Sequence, residues 1–436
     1  MNPINVGLIG IGTVGGGTFA VLKRNAEEIA RRAGRPIQIT LVADKNLALA
    51  QQVTGGACPL TDDAFALVDD PAIDIVVELI GGCTVAKALV LKAIANGKHV
   101  VTANKALLAL HGNEIFAAAQ QQGVMVAFEA AVAGGIPIIK ALREGLTANR
   151  IEWIAGIING TTNFILSEMR DKGLPFATVL KEAQALGYAE ADPTFDIEGI
   201  DAAHKLSIMS AIAFGSPMSF EQAYVEGISQ LAAQDIQYAE QLGYRIKLLG
   251  ITRRTAEGVE LRVHPTLIPA KRLIANVEGA MNAVLVKGDA VGATLYYGKG
   301  AGAEPTASAV IADLVDVTRM HTADPEHRVP HLAFQPAAML NLAILPLAEI
   351  VTSYYLRLRV EDKPGVLADI TRILADQDIS IDAMIQRAPA EGEKQTDIII
   401  LTHQTREKNV DAAIVKIEAL AAVSGKLVRL RLEHLQ

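Results

Sequence analysis

The first 130 residues alternate between short β-branched runs and amphipathic helical patterns. The runs predict five strands, at Ile4–Ile9, Ile37–Ala43, Ile73–Leu79, Val100–Thr102 and Val124–Phe128. Strands that alternate with helices are typical of a parallel sheet whose crossover helices cover its faces. The pattern therefore predicts an α/β domain over residues 1–136.

The pattern changes near Gly134–Pro137, and longer amphipathic strands follow. They are predicted at Ile151–Ile157, Arg245–Thr252, Val259–His264, Ala283–Lys287 and Val291–Tyr297. This pattern indicates strands of a different kind of sheet, so residues 137–320 are predicted to form a second, α+β domain. A glycine-rich turn at Gly298–Gly302 precedes a helix over 306–321, which could return to the first domain.

The last 86 residues, 351–436, follow a strand–helix–strand–strand–helix–strand order. The predicted elements are strands at Tyr354–Val360, Ile379–Gln386, Asp397–Thr402 and Lys426–Leu432, and helices at Val366–Ala375 and Val410–Leu420. This βαββαβ order is the ferredoxin-like layout. Residues 321–350 are predicted to connect this third domain to the second.

Composition narrows the class of ligand. Of the 436 residues 50% are hydrophobic and 20% are charged, and the formal net charge is −8. These values are typical of a globular protein and provide no basic surface for nucleic acid or a membrane. Prolines and polar residues interrupt the longest apolar stretch, 332–351, so no membrane span is expected. A small-molecule ligand is the remaining expectation.

Two further features bear on location. The N-terminal residues lack a cationic segment and lead directly into a predicted strand, so a signal peptide is not expected. Cys58 and Cys83 form neither a C-x-x-C pair nor a disulfide framework, which fits a reducing compartment. We therefore expect a cytoplasmic protein.

A glycine-rich segment directly follows the first predicted strand. Gly10, Gly12 and Gly15 have the spacing G-x-G-x-x-G, with Thr13 and Val14 between them, and a helical pattern follows. Glycines in this context let a pyrophosphate approach the backbone at the positive end of a helix. The context predicts a Rossmann-type dinucleotide-binding domain, and the alternative is a tight turn that needs glycine for its backbone angles.

Three residues at strand ends extend this prediction. Asp44 ends the second strand, where an acid would hold the ribose of NAD, whereas neighbouring Lys45 would neutralise the 2′-phosphate of NADP. The two signals conflict, and we lean to NADP. Lys105 follows the fourth strand, where a cation at a helix N-terminus is disfavoured unless it has a function. It is predicted to lie beside both coenzyme and substrate.

The segment from Leu186 to Met209 is rich in acids and then becomes apolar. Asp201 and Lys205 are four residues apart, so they share one face of a helix whose other residues indicate burial. A buried ammonium group held by a carboxylate is a candidate proton donor. The alternative is an ordinary helical ion pair.

Seven segments resemble the homoserine dehydrogenase family, in the family's order and over residues 4 to 320. They are Gly10–Gly15, Val77–Gly82, Thr102–Lys105, Gly156–Asn163, Gly187–Pro193, Gly199–Leu206 and Gly298–Pro305. The resemblance implies reversible NAD(P)-linked reduction of L-aspartate 4-semialdehyde to L-homoserine, in threonine, methionine and isoleucine biosynthesis. The second domain would then be the catalytic and dimerisation domain.

The resemblance also assigns roles. Lys205 would donate the proton, Lys105 would polarise the same oxygen, and Asp201 would hold Lys205. The substrate ammonium would be bound by Glu190, with Asp196 and Thr161 as secondary candidates, and Gly302 is expected to contact the coenzyme. His204 is expected to be a packing residue, because consecutive helical residues point about 100° apart.

Residues 129–136 resemble the family's monovalent-cation loop. The side chain of Glu129 and the backbone carbonyls of Val132, Gly134 and Ile136 would bind Na⁺, which prefers oxygen ligands. The alternative is a glycine-rich hinge between domains, without an ion.

The segment 360–367 and the ferredoxin-like order resemble an ACT domain, a small amino-acid-sensing module. A turn at Pro364–Gly365 would expose amides to a ligand carboxylate. L-threonine is the expected effector, and a homodimer or homotetramer is expected; the alternative is a module that only assembles the oligomer. For the whole chain, the competing interpretations are another ACT-tailed Rossmann dehydrogenase and a non-catalytic amino-acid sensor.

Overall fold

The computed structural model describes residues 2–389 and 392–436. The chain forms two compact units, each assembled from separate stretches of sequence. The first contains the chain up to Gly160 together with Asp201–Ala223 and Ala280–Leu342. The second contains Thr161–Ile200, Tyr224–Gly279 and Ala343–Gln436. The units cut across the three predicted domains.

The strands, in chain order, are β1 Ile4–Ile9, β2 Ile37–Ala43, β3 Leu60–Thr61, β4 Ile75–Glu78, β5 His99–Thr102, β6 Val126–Ala127, β7 Ile151–Ile157, β8 Tyr224–Val225, β9 Tyr244–Arg254, β10 Val259–Pro269, β11 Met281–Gly288, β12 Gly292–Lys299, β13 Val351–Glu361, β14 Ile381–Gln386, β15 Gln395–Thr402, β16 Thr405–Arg406 and β17 Val423–Leu432.

The α-helices are α1 Thr13–Arg24, α2 Ala26–Ala33, α3 Leu47–Thr54, α4 Ala64–Asp69, α5 Thr84–Ala95, α6 Lys105–Gln122, α7 Ile138–Lys140, α8 Gly160–Lys172, α9 Phe176–Ala185, α10 Thr194–Ile197, α11 Ile200–Phe214, α12 Ala233–Gln241, α13 Ala303–Met320, α14 Val366–Asp376 and α15 Glu407–Glu418. A π-helical turn, Ala141–Gly145, continues α7. Short 3₁₀ turns lie at Glu129–Ala131, Phe220–Gln222, Leu273–Asn276, Pro325–His327, Pro336–Ala338 and Leu347–Glu349.

The first unit is built on a six-stranded sheet in the order β3-β2-β1-β4-β5-β6. All of its neighbouring strands are parallel, as the alternating pattern predicts. Strands β1 and β2 have the predicted ends, whereas β4 and β6 are shorter than predicted. The strand order reverses between β1 and β4, and the carboxyl ends of strands at such a switch point are where ligands of these sheets bind.

Helix α13 packs into the core of this domain. Its apolar residues Ala307, Val310 and Leu314 share one cluster with α1, α2 and the sheet. The approach to α1 is close, since a Cβ atom on Gly17 would lie 2.5 Å from the carbonyl oxygen of Ala303. The predicted helix 306–321 therefore returns to the nucleotide-binding fold and begins at Ala303.

The same unit contains β7, β11 and β12, which pair antiparallel in that order, and the fully buried part of α11. Every residue from Asp201 to Phe214 is buried. A helix that is buried on all sides has no solvated face for its charged residues, so Asp201 and Lys205 must find partners inside the protein.

The second unit has a ferredoxin-like part, with strand order β17-β13-β15-β14 and helices α14 and α15. Its first strand, β13, pairs antiparallel with both β15 and β17. Strand β17 also pairs in parallel with β10 through Thr266–Arg431 and Leu267–Leu432. The last strand of the chain therefore belongs both to the ferredoxin-like sheet and to the antiparallel pair β9–β10.

Within residues 2–389 and 392–436, no helix combines the length and the apolar character that crossing a membrane would require.

Candidate active site

The carboxylate of Asp201 is the centre of a buried polar cluster. Its Oδ2 accepts hydrogen bonds from Lys205 Nζ at 2.7 Å and from Asn159 Nδ2 at 2.8 Å. Lys105 Nζ lies 3.0 Å from its other oxygen, Oδ1. Burial by itself raises the pKa of Asp201, but the lysines and hydrogen bonds outweigh burial and hold the pKa well below its usual range. Asp201 is therefore a fixed anion between two cations.

Lys205 has a defined orientation. Its ammonium group donates to Asp201 one helical turn earlier and to the carbonyl oxygen of Ile158 at 2.8 Å. Its side chain is 11% exposed, compared with 34% for Lys105. The predicted helical pair is confirmed, and the carbonyl at the end of β7 fixes the direction of the amine.

Lys105 reaches this cluster from the carboxyl end of β5. Asn104 caps α6, because its Oδ1 accepts from the amide of Leu107, and its Nδ2 donates to the carbonyl oxygen of Gly82. The cap places Lys105 as the first residue of the helix, where a cation is disfavoured by the helix dipole. Its contact with Asp201 offsets that unfavourable position.

Glu78 is a supporting residue that the sequence analysis missed. Its buried carboxylate accepts from the Thr102 hydroxyl at 2.7 Å and from the amides of Ile80 and Gly81. Burial raises the pKa of this carboxyl, against the effect of those hydrogen bonds. Glu78 joins the loop after β4 to the end of β5, and an acid at the end of an apolar strand is the signal that could have indicated this role.

The glycine-rich loop fits a dinucleotide. Gly10 has φ +93°, and a Cβ atom on Gly15 would lie 2.0 Å from the carbonyl oxygen of Gly10, so the turn excludes side chains. The position of a Cβ on Gly12 is open, and Gly12 and Thr13 are exposed at the N-terminus of α1. An open helix N-terminus with no side chain to fill it is suited to a pyrophosphate.

Asp44 and Lys45 point to different partners. Asp44 Oδ2 accepts from the amide of Ile11 and Oδ1 from the amide of Asn46, both at 2.7 Å. Lys45 is exposed, and its Nζ donates to the carbonyl oxygen of Asp62 at 2.7 Å. Asp44 is thus tied to the glycine loop, whereas Lys45 lies on the surface. Their roles in coenzyme choice stay predictions.

The predicted substrate residues lie in the second unit. Glu190 is exposed, and its carbonyl oxygen accepts from Gln184 Nε2 at 3.0 Å. Asp196 is half-buried on α10, and the Thr161 hydroxyl donates to the carbonyl oxygen of Tyr188 at 2.7 Å. The structure brings Lys205, Lys105 and Asp201 into one cluster in the first unit. Thr161 lies on α8, Glu190 on the loop after α9 and Asp196 on α10, and their substrate role stays a prediction.

His204 does not share the face of Lys205. It is buried against Phe220, with ring centroids 4.2 Å apart, and burial lowers its pKa to about 4. A buried imidazole in edge-on contact with an aromatic ring supports the expected packing role.

The predicted cation loop has a strained backbone. Ala133 and Gly134 both have positive φ, and a Cβ atom on Gly134 would lie 2.4 Å from the carbonyl oxygen of Gly300. Both oxygens of Glu129 accept backbone amides, those of Ile139 and Lys140. In the part of the chain that the structure describes, no three His, Cys, Asp or Glu side chains are grouped to hold a metal. A cation here would depend on carbonyl oxygens such as those of Val132 and Ile136.

A parallel sheet with a glycine loop at its switch point, together with a buried lysine–carboxylate cluster, defines a nicotinamide-dependent oxidoreductase. Comparison with known families agrees. Residues 10–129 match the homoserine dehydrogenase NAD-binding domain, residues 137–315 match homoserine dehydrogenase, and residues 354–421 match the ACT domain. The chain belongs to the homoserine dehydrogenase family. The resemblance, the expected class of enzyme and the ACT domain, which indicates an amino-acid effector, are confirmed.

Individual relatives are similar over their whole length. The chain is 62% identical to a homoserine dehydrogenase of Pseudomonas aeruginosa, over 100% of each chain. A crystal structure of a homoserine dehydrogenase from Thiobacillus denitrificans has a TM-score of 0.96 at 73% identity, covering 100% of this chain and 99% of that one. A hyperthermophilic archaeal homoserine dehydrogenase in complex with NADPH has a TM-score of 0.62 at 25% identity, covering 73% and 98%.

Glu129 and Asp313 form a buried acid pair beside the predicted cation loop. Asp313 Oδ2 accepts the amide of Glu129 at 2.7 Å, and burial raises the pKa of Glu129 to about 6 and that of Asp313 to about 7. These two carboxyl groups therefore bind protons more tightly in the folded protein than in the unfolded chain. The stability due to these acids is fully present below about pH 4 and is lost as pH rises through about 7.

Asp313→Asn should therefore stabilise the protein at pH 8, by on the order of 1–3 kcal/mol, and much less at pH 4. Thermal unfolding at both pH values measures the difference. Asp316→Asn, three residues later on the same helix and partly exposed, is the control and should show no such gain. A gain of equal size at both pH values would contradict the account.

Proposed function

We propose that this enzyme reversibly reduces L-aspartate 4-semialdehyde to L-homoserine, on the route to threonine, methionine and isoleucine, with Lys205 as the proton donor. The observation that carries the proposal is the Asp201 cluster, which holds two ammonium groups on one buried carboxylate. Aldehyde reduction needs a proton for the developing alkoxide, and a fixed ammonium group supplies both that proton and a positive charge.

Several residues of the chain would each have a separate role in the reaction. A bound nicotinamide coenzyme supplies or accepts the hydride. Lys205 would donate its proton to the carbonyl oxygen during reduction and take it back during oxidation, while Asp201 keeps the amine charged and oriented. Lys105 would polarise the same oxygen. The loop Gly10–Gly15, with Asp44, Lys45 and Gly302, would bind the coenzyme.

The substrate carries an α-ammonium group, which requires an anion. We assign that contact to Glu190, with Asp196 and the Thr161 hydroxyl as secondary contacts. An exposed carboxylate on a loop is suited to this role, because it can pair with the ligand without a prior burial cost. Monovalent cation binding at Glu129 and the carbonyls of the 132–136 loop is a further part of the proposal.

L-threonine is the proposed effector, bound at the turn that begins α14, in a homodimer or homotetramer. The turn residues 362–365 are exposed, Gly365 has φ +95°, and the N-terminus of α14 follows. A ligand carboxylate would be favoured at such a helix end. Inhibition requires a different affinity for two states of the enzyme, so threonine need not compete with homoserine.

Lys205→Met should lower kcat by ~10²–10⁴, with coenzyme affinity changed less than about two-fold. Absorbance of NAD(P)H formed from homoserine measures turnover, and fluorescence titration measures coenzyme binding. Lys105→Met should also lower kcat. Lys92→Met, which removes a surface lysine paired with Asp69, is the control. Normal turnover in Lys205→Met would exclude the assignment.

For the coenzyme we propose NADP in preference to NAD. Lys45→Ala should then weaken NADP binding by about ten-fold and leave NAD binding unchanged, because only NADP carries the 2′-phosphate. Titration of the variant with NADP and with NAD measures the two affinities separately. Lys23→Ala, an exposed lysine on α1, serves as the control. NADP affinity that does not change in Lys45→Ala would favour Asp44 and NAD.

Threonine should inhibit the wild-type enzyme. Gly365→Asp should raise the threonine concentration needed for half-inhibition by about ten-fold or more, because the new carboxylate would repel the carboxylate of the ligand. Gly425→Asp is the matched control, since both glycines have positive φ and open space around a Cβ. Inhibition curves at fixed homoserine give the answer. Identical curves for Gly365→Asp and wild type would place the inhibitor elsewhere.

A further inference from the structure

A buried arginine on the last strand connects the ACT domain to the rest of the second unit. Arg431 lies on β17, and its guanidinium contacts Glu407 of α15, with Nε 2.9 Å from Oε2. Its Nη1 donates to Glu226 Oε2 at 2.8 Å. Glu407 belongs to the ferredoxin-like part, whereas Glu226 follows β8, far earlier in the chain. One side chain therefore joins both.

The carboxylate of Glu226 is held on more than one side. The Tyr224 hydroxyl donates to it at 2.6 Å, and the Arg431 guanidinium lies 4.8 Å from the centre of the Tyr224 ring. The amide of Glu226 donates to the carbonyl oxygen of Val263 on β10 at 2.8 Å. Glu226 is therefore joined to β17 through its side chain and to β10 through its backbone.

The next two residues pack directly against the end of α10. The amide of Ile228 donates to the carbonyl oxygen of Ile197 at 2.8 Å. A Cβ atom on Gly227 would lie 2.4 Å from that same oxygen and 2.5 Å from the Cα of Glu198. The contact leaves no space for a side chain, so segment 226–228 is packed tightly against residues 197 and 198.

Helix α10 has little stability of its own. It contains four residues, Thr194–Ile197, and isolated helices of that length do not form in water. Its position must therefore come from its neighbours. This short helix carries Asp196, and Glu190 lies four residues before it begins.

We propose that Arg431 is a positioning residue for homoserine binding, acting through Glu226 and the 226–228 backbone on the segment 190–199. The inference rests on the proposed substrate roles of Glu190 and Asp196. It assigns to the last strand of the ACT domain a part in arranging the substrate segment, in addition to any effector site in that domain.

The test uses the full-length enzyme and replaces Glu226, the partly exposed partner of Arg431. Replacing Arg431 would remove the guanidinium that contacts both oxygens of the fully buried Glu407 and could prevent folding, whereas the Glu226 side chain is 34% exposed. Glu226→Ala should raise KM for homoserine by roughly 3–30-fold, with kcat and the coenzyme KM changed less than about two-fold. Glu226→Gln should largely restore KM, because its amide oxygen still accepts the same hydrogen bonds.

Two further measurements separate positioning from general loss of structure. Amide hydrogen exchange over residues 194–200 should become faster in Glu226→Ala and also in Gly227→Ala, which forces the same contact apart without changing charge. Arg429→Met is the matched control, since Arg429 lies on the same strand and contacts Glu407 and Asp411. It should leave both the exchange and the homoserine KM unchanged.

Glu190→Gln, measured in parallel, distinguishes the positioning role of Arg431 from the substrate contact of Glu190. A raised homoserine KM in Glu190→Gln with no change in Glu226→Ala overturns the positioning role and leaves the substrate assignment standing. An unchanged KM in Glu190→Gln removes the substrate assignment. Unchanged exchange over 194–200 in Glu226→Ala, or equal rises in both KM values, overturns the positioning role in either case.

Discussion

The site depends on one buried anion. Asp201 lies on a helix with no solvated face, and an isolated carboxylate in such surroundings would be strongly destabilising. The ammonium groups of Lys205 and Lys105 compensate its charge, and Asn159 adds a neutral donor. These three residues come from α11, from α6 and from the turn between β7 and α8. Those elements must meet for the anion to be buried at all. The same requirement that stabilises the fold therefore brings two cations to one point, where they can act on a carbonyl oxygen.

A second set of buried charges joins the C-terminal end of the chain to β10. Arg262 on β10 is fully buried, and its guanidinium contacts Glu260 on its own strand and Glu433 just beyond β17. Cutting the chain before the third domain would remove Glu433 and expose the edge of β10. Removing one partner of a buried ion pair is more destabilising than never having had the pair. The third domain of the sequence thus contributes to the stability of the rest of the second unit.

The sequence predicts features that depend on local order. The glycine loop, strands β1 and β2 and the spacing of Asp201 and Lys205 follow from periodicity and from residue types with few conformational choices. It does not predict contacts that join distant segments. The pairing of Lys105 with Asp201, the buried role of Glu78 and the double pairing of β17 all depend on tertiary packing. The sequence of the ACT domain does not indicate that β17 pairs with β10 as well as with β13. The residues of a strand do not specify which strand lies on its second edge.

The distribution of functional groups along the chain has a consequence for regulation. The first unit contains the coenzyme loop and both lysines, whereas the second contains Glu190, Asp196 and the ACT domain. A ligand can shift an equilibrium only by its differential affinity for two states. If the Arg431–Glu226 contact differs between those states, the change reaches the substrate segment through residues of the same compact unit. The two ammonium groups to which we assign proton donation and polarisation belong to the other unit and are held by their own buried carboxylate. An effector acting in this way would alter the affinity for homoserine more than the chemical step.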